Sequence, residues 1–140
     1  MQFGRKKGFT LIEIMIVVVL IGILATLAMP LIRKARTQAA ARLMLNDARQ
    51  IGAAVQNYYL EQGITSVVIA VDPDTGIITG PISEYITSMS KSLDLSGSPI
   101  TIEEGEDFAL EHSMGVITFN ERGQALDASG PVRSAVPGFE

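Results

Sequence analysis

Apolar residues follow three rhythms along this chain. The first is continuous: from Ile14 to Met29 no charged residue interrupts Ile, Leu, Val and Met. Phe9 to Met29 is 21 residues. As a helix it would be about 31 Å long at ~1.5 Å per residue, which matches the roughly 30 Å hydrocarbon core of a bilayer. Lipid favours the helix despite the β-branched residues, because every backbone polar group must be paired internally.

The second rhythm is helical and one-sided. Met44, Ala48, Ile51, Val55 and Tyr58 recur at steps of four, three, four and three, which is one face of an α-helix. Arg33, Lys34, Arg36, Arg42, Asp47 and Arg49 fall mostly on other faces. The pattern predicts an amphipathic continuation over residues 30–62, stopped by Gly63, with its stripe packed on the rest of the chain. The alanine-rich side from Ala35 to Ala41 is expected to let neighbouring helices approach closely.

The third rhythm is short and strand-like, in residues 64–140. Val67 to Val71 is rich in β-branched residues and predicts a strand. Asp72-Pro73-Asp74-Thr75-Gly76 predicts a turn. Ile77 and Ile78 start either a return strand or a loop. Pro81 opens a short helix with Ile82, Tyr85, Ile86, Met89 and Leu93 on one face. Ile100 to Ile102 predicts a strand, and Glu103-Glu104-Gly105-Glu106-Asp107 an acidic loop. Gly115–Phe119 and Gln124–Leu126, joined by Asn120-Glu121-Arg122-Gly123, predict a hairpin. Ala128 to Glu140, rich in Gly, Pro and Ser, is expected to be a loose tail.

These elements predict an α+β fold. A long N-terminal helix spans a membrane in its first half and is amphipathic in its second. It packs on a small antiparallel β-sheet domain. The predicted segments are 1–8, a basic leader; 9–29, the membrane helix; 30–62, its amphipathic continuation; and 64–140, a small globular domain. A domain of that size is short of core on its own, and the amphipathic helix supplies the missing apolar surface.

Charge sharpens the division. Residues 1–49 carry eight Lys or Arg against Glu13 and Asp47, and residues 50–140 carry three against thirteen acidic residues. The acidic half lacks the basic face that nucleic acid requires. The basic residues flank the apolar run, as membrane anchors do. The chain has no cysteine, which excludes disulfides and thiolate metal sites.

Glu13 lies inside the front edge of the apolar run, where lipid penalises a carboxylate. An ordinary cleaved secretory signal would have a shorter core, and Thr26 and Ala28 make a poor cut site before Met29. A plain uncleaved anchor leaves Glu13 without a purpose. Gly8-Phe9-Thr10-Leu11-Ile12-Glu13, after a basic leader and before an apolar run, resembles the type IV pilin and type II secretion pseudopilin family. The resemblance covers about the first 60 residues. It implies cleavage after Gly8 by a prepilin peptidase and N-methylation of Phe9. It also implies assembly roles for Glu13, Gly22 and Pro30, and the same helix-on-sheet fold. The partners implied are copies of the chain or related pilins, an assembly ATPase with its platform, and the lipid bilayer before assembly. The implied location is the bacterial inner membrane, single-pass, with the C-terminal domain outside the cytoplasm, and then a pilus or pseudopilus.

The physics of Glu13 can be stated separately. A new α-amino group on Phe9 has an ordinary pKa of about 7.7–8 and is largely cationic at neutral pH. Glu13, four residues on, can pair with that amine in its own chain or in a neighbour. Pro30 cannot donate to the carbonyl of Thr26, so either a kink or a local loss of helicity is expected there. The competing class is a monomeric exported or membrane-anchored binding module.

Enzyme chemistry is not expected. His112 is the single histidine, and Glu111 and Ser113 are only its neighbours in sequence. No cofactor is expected. Asp72 and Asp74 resemble half of a calcium loop but lack the later ligands of an EF-hand. Because some pseudopilins hold calcium in a C-terminal loop, Asp72, Asp74 and Asp127 are the weak calcium candidates, with a simple turn as the favoured alternative.

Overall fold

The computed structural model describes residues 9–139. One α-helix, α1 (Leu11–Gln62), is followed by seven short strands and two 3-10 turns. By its contacts the chain divides into two compact units, residues 1–35 and 36–140. The second half of α1 and both sheets thus belong to one unit.

In the first unit α1 is apolar on every side. Its large apolar side chains from Leu11 to Ile32 are all exposed. The helix runs through Pro30 without interruption. The hydroxyl of Thr26 donates back to the carbonyl of Ile23 at 2.7 Å.

In the second unit α1 buries one stripe. Met44, Ala48, Ile51 and Val55 are buried and Tyr58 is half-buried, as their spacing predicts. The alanine-rich expectation is corrected in part. Ala40 and Ala41 belong to this chain's own core, whereas Ala35 and Ala39 are exposed. Gly63, at φ 66°, ends the helix, its N–H donating to the carbonyl of Tyr59 at 2.9 Å.

Two antiparallel sheets replace the single small sheet expected. The strands are β1 (Ser66–Val71), β2 (Ile78–Thr79), β3 (Asp94–Leu95), β4 (Ile100–Glu103), β5 (Phe108–His112), β6 (Gly115–Phe119) and β7 (Ala125–Ser129). A three-stranded sheet has the order β2-β1-β4, and a four-stranded sheet the order β3-β5-β6-β7. Alternation selects the buried face. Val67, Ile69 and Val71 point inward from β1, Phe108 and Leu110 from β5, and Ile117 and Phe119 from β6. Phe108 and Phe119, paired across β5 and β6, stack with ring centroids 5.7 Å apart.

The hairpin turn between β6 and β7 seats against α1. Asn120 Oδ1 accepts from the N–H groups of Arg122 (3.1 Å) and Gln124 (2.9 Å). Gly123, at φ 72°, touches the backbone of Ala48 where any Cβ would collide. On the facing turn of helix, a Cβ at Gly52 would come within 2.8 Å of the Glu121 carbonyl. Two glycines therefore let helix and turn meet backbone to backbone.

Two expectations fail locally. The helix expected after Pro81 is a single 3-10 turn, Pro81–Glu84. Ile82, Ile86, Met89 and Leu93 are nonetheless buried. Backbone bonds from Met89 N to Gly76 O (2.9 Å) and from Ile78 N to Thr87 O (3.0 Å) hold the segment open. Buried Asp47 of α1 accepts from the N–H of Ser90 at 2.7 Å and pins the same segment to the helix. Nor is the tail loose. Ala128 lies in β7, Pro131–Ala135 forms a second 3-10 turn, and Val132 and Val136 are buried.

Candidate functional site

The start of α1 is built by two side chains. Thr10 is the N-cap, and its carbonyl accepts the first helical bond, from Ile14 N, at 3.4 Å. Its hydroxyl accepts from the N–H of Glu13 at 3.3 Å. Glu13 Oε2 accepts from the N–H of Thr10 at 2.8 Å and from its hydroxyl at 2.9 Å. This is a capping box, which satisfies backbone donors that the first turn otherwise leaves open. Thr10 was not singled out from the sequence. Its signal is the T-x-x-E spacing directly before an apolar run.

Glu13 therefore has a local function in the single chain. Among the described residues its hydrogen-bond partners all belong to Thr10, three residues away. It stands at the head of an exposed apolar segment, with Leu11 77% and Leu31 70% exposed. The helix is long and apolar enough to cross a membrane, and none of its most apolar window is buried within the chain. Gly22 is open on all sides, since a Cβ there would meet nothing within 4 Å. No packing inside the chain demands that glycine. Phe9 is exposed beside the cap. Gly8 and the basic leader lie outside the described residues.

The other candidates are not gathered into a site. Among the described residues no group of three or more His, Asp or Glu side chains could hold a metal ion. Asp72 folds back on its own turn, where the Thr75 hydroxyl and then the Asp74 N–H hold its carboxyl below the usual range. Asp127, on β7, accepts from the N–H of Ala128 at 2.8 Å and lies 3.8 Å from Arg133. His112 Nδ1 accepts from Met114 N at 3.0 Å and closes the β5–β6 turn. Glu111 accepts from the Ser96 hydroxyl at 2.6 Å. The Ser113 hydroxyl lies 3.5 Å from the same His112 Nδ1, while Glu111 turns to Ser96, so the three side chains do not line up as a triad. Tyr59 donates to the carbonyl of Ile102 at 2.6 Å, and Tyr58 meets the edge of Tyr85, so both fill the helix–sheet junction.

Comparison with known proteins points to the same N-terminal segment. The family model for the prokaryotic N-terminal methylation motif matches residues 4–29. Type II secretion system core protein G of Pseudomonas aeruginosa is 44% identical over 61 residues, 44% of this chain and 43% of that protein. Type IV major pilin protein PilE of Neisseria gonorrhoeae is 44% identical over 61 residues, 42% of this chain and 35% of that protein. Type II secretion system core protein G of Klebsiella pneumoniae is 31% identical over 90 residues, 59% of this chain and 64% of that protein. The chain thus spans less than two thirds of each of these relatives. No solved structure matches it. The methylation motif, matched across the cap and the apolar helix, together with relatives of both kinds, makes the N-terminal part of this chain similar to type IV pilins and type II secretion pseudopilins.

Proposed function

We propose that this chain is a structural, non-catalytic subunit of a type IV pilus or type II secretion pseudopilus. It is inserted in the bacterial inner membrane with its C-terminal domain outside the cytoplasm. A prepilin peptidase cuts after Gly8 and methylates the new amine of Phe9. The apolar helix then leaves lipid and polymerises with copies of the chain or related pilins, driven by an assembly ATPase and its platform. The observation that carries this reading is an apolar helix exposed on every side from Leu11 to Ile32, headed by a carboxylate. Lipid covers such a surface before assembly, and other helices cover it afterwards.

Glu13 then works twice. In the single chain its carboxylate is occupied by Thr10. A carboxylate has room for about four hydrogen bonds, so it can hold the cap and still meet the cationic amine of a neighbouring Phe9. An amine and a carboxylate that are both shielded from water gain most when they pair. The pairing rewards assembly and sets the stagger between subunits.

Mass measurement of the mature protein tests the processing step. Loss of eight residues with one added methyl group is expected, whereas a mature chain that still begins at Met1 removes the cation and the reading with it. Substitution at Glu13 separates the two jobs. Glu13→Gln keeps an oxygen for the cap but loses the charge. Both Glu13→Gln and Glu13→Ala are expected to insert normally and to lose most fibre yield. Full assembly by Glu13→Gln would leave Glu13 with its capping role alone.

A further inference from the structure

A second feature of the globular unit fits a partner. The end of α1 and the turns after β4 and β6 enclose a cleft of about 420 Å³, lined by Gln56, Tyr59, Leu60, Glu104, Glu121 and Arg122. Its floor is amphipathic, with Leu60 84% exposed beside the ring of Tyr59. Its wall is acidic. Glu121 accepts from the N–H of Gly105, which draws the acidic loop to the cleft, and it lies 3.8 Å from Arg122 Nε. Glu104 makes no side-chain hydrogen bond or ion pair among the described residues. Burial, then the carboxylates of Glu121, Glu104, Glu103 and Glu106, push the Tyr59 phenol up to about 12. Four acidic groups therefore direct their field at one side of this cleft.

A complementary surface is on the same chain. Arg42 and Arg49 are exposed on α1 and make no ion pair among the described residues. Seven residues apart, they lie about two turns along one side of the helix. The buried stripe of Met44, Ile51 and Val55 occupies the opposite side. An arginine side chain suits the cleft, because its stem packs on apolar surface while its planar guanidinium stacks on rings and binds carboxylates in pairs.

We infer that the cleft between Tyr59, Leu60, Glu104 and Glu121 receives Arg42 or Arg49 of a second copy of this chain. The inference rests on the filament reading above and names a contact between globular units, apart from the apolar helix. One copy presents a cationic helix face and the next an acidic cleft, so the contact is head-to-tail and repeats without closing. Complementary charge sets register and rejects misaligned neighbours more than it adds affinity.

The cysteine-free chain allows a direct test in full-length protein, expressed with its assembly machinery and sheared from cells. Glu104→Cys combined with Arg42→Cys or Arg49→Cys is expected to give an oxidant-dependent ladder of covalent multimers. The control pair Glu104→Cys with Arg133→Cys is expected to give none. Glu104→Lys is expected to cut fibre yield about tenfold through like-charge contact, with an unchanged melting curve. Combining it with Arg42→Glu and Arg49→Glu is expected to restore the yield. Normal fibre yield from Glu104→Lys, with no ladder from either cysteine pair, overturns this inference and leaves the filament reading standing. Absence of fibres from the unsubstituted chain overturns both.

Discussion

Two stretches of one helix, similar in their wealth of apolar residues, are treated in opposite ways. From Leu11 to Ile32 every large apolar side chain of α1 is exposed. From Ala40 to Val55 the stripe of Ala40, Ala41, Met44, Ala48, Ile51, Ala54 and Val55 is buried, while Leu43 and Ala53 stay exposed on the wet side. The difference lies in arrangement. The second stretch gathers most of its apolar residues on a stripe, which its own domain can cover. The first is apolar all round, so covering it takes lipid or several other helices. Being hydrophobic does not place a residue in the core of its own chain.

The comparison predicts that the same substitution has different consequences in the two stretches. Ile51 is wholly buried and Ile23 is 54% exposed. Ile51→Ala is expected to cost about 2–5 kcal/mol of domain stability, through lost transfer energy and the cavity left behind. Ile23→Ala is expected to leave the chemical denaturation midpoint of the globular unit unchanged and to lower fibre yield. Equal loss of stability from the two would show that the first stretch packs on its own domain, against the present description.

The same contrast marks what could be read from the residues alone. Unbroken or strictly periodic patterns carried through: the apolar run, the stripe from Met44 to Val55, β1 and the β6–β7 hairpin. Patterns that depend on a partner did not. Phe108-Ala109-Leu110-Glu111-His112 has no β-branched residue and reads as nothing definite. It is a strand because β3 and β6 pair with it on both sides. Ile82, Ile86, Met89 and Leu93 are spaced as on a helix and are buried, yet bonds to Gly76, to Ile78 and to Asp47 hold the backbone open. Gly130 and Pro131 suggested looseness, whereas they form a turn that delivers Val132 to the core. At the candidate site, the position of Glu13 at the head of an apolar run is legible in the sequence, whereas its bond to Thr10 is not. The cap pairs two polar residues, while attention to hydrophobic periodicity passes over polar pairs.

A smaller effect tests why the second stretch packs so closely. In an isolated helix, Gly→Ala stabilises by roughly 1 kcal/mol. At Gly52 the added methyl would meet the backbone of Glu121, Arg122 and Gly123 at 2.8 to 2.9 Å. Backbone cannot rotate out of the way as a side chain can. Gly52→Ala is therefore expected to destabilise the globular unit by about 1–3 kcal/mol, the range for overpacking. In the first stretch Gly22 has open space around it, so Gly22→Ala should leave domain stability alone. Denaturant melts of the two variants compare them directly, and a stabilising Gly52→Ala would show that helix and turn separate readily.

The smallest effect is a dependence on pH confined to the globular unit. Tyr59 donates its phenol proton to the carbonyl of Ile102, and burial followed by the surrounding carboxylates pushes its pKa up to about 12. An unfolded tyrosine titrates near 10, so between pH 10 and 12 the folded state holds this proton more tightly than the unfolded chain. The associated stability is complete below about pH 10 and is lost as pH rises towards about 12. Tyr85 adds a loss of the same sign, because the Glu61 carboxylate accepting its proton also pushes it up to about 12. Tyr59→Phe is expected to lower stability at neutral pH by about 1 kcal/mol, one hydrogen bond's worth, and to flatten part of the alkaline decline. The first stretch has no tyrosine. Melting curves from pH 9 to 12 should therefore show the slope reduced in Tyr59→Phe and unaltered in Ile23→Ala. An unchanged slope in Tyr59→Phe would mean that its phenol is no better held in the folded chain than in water.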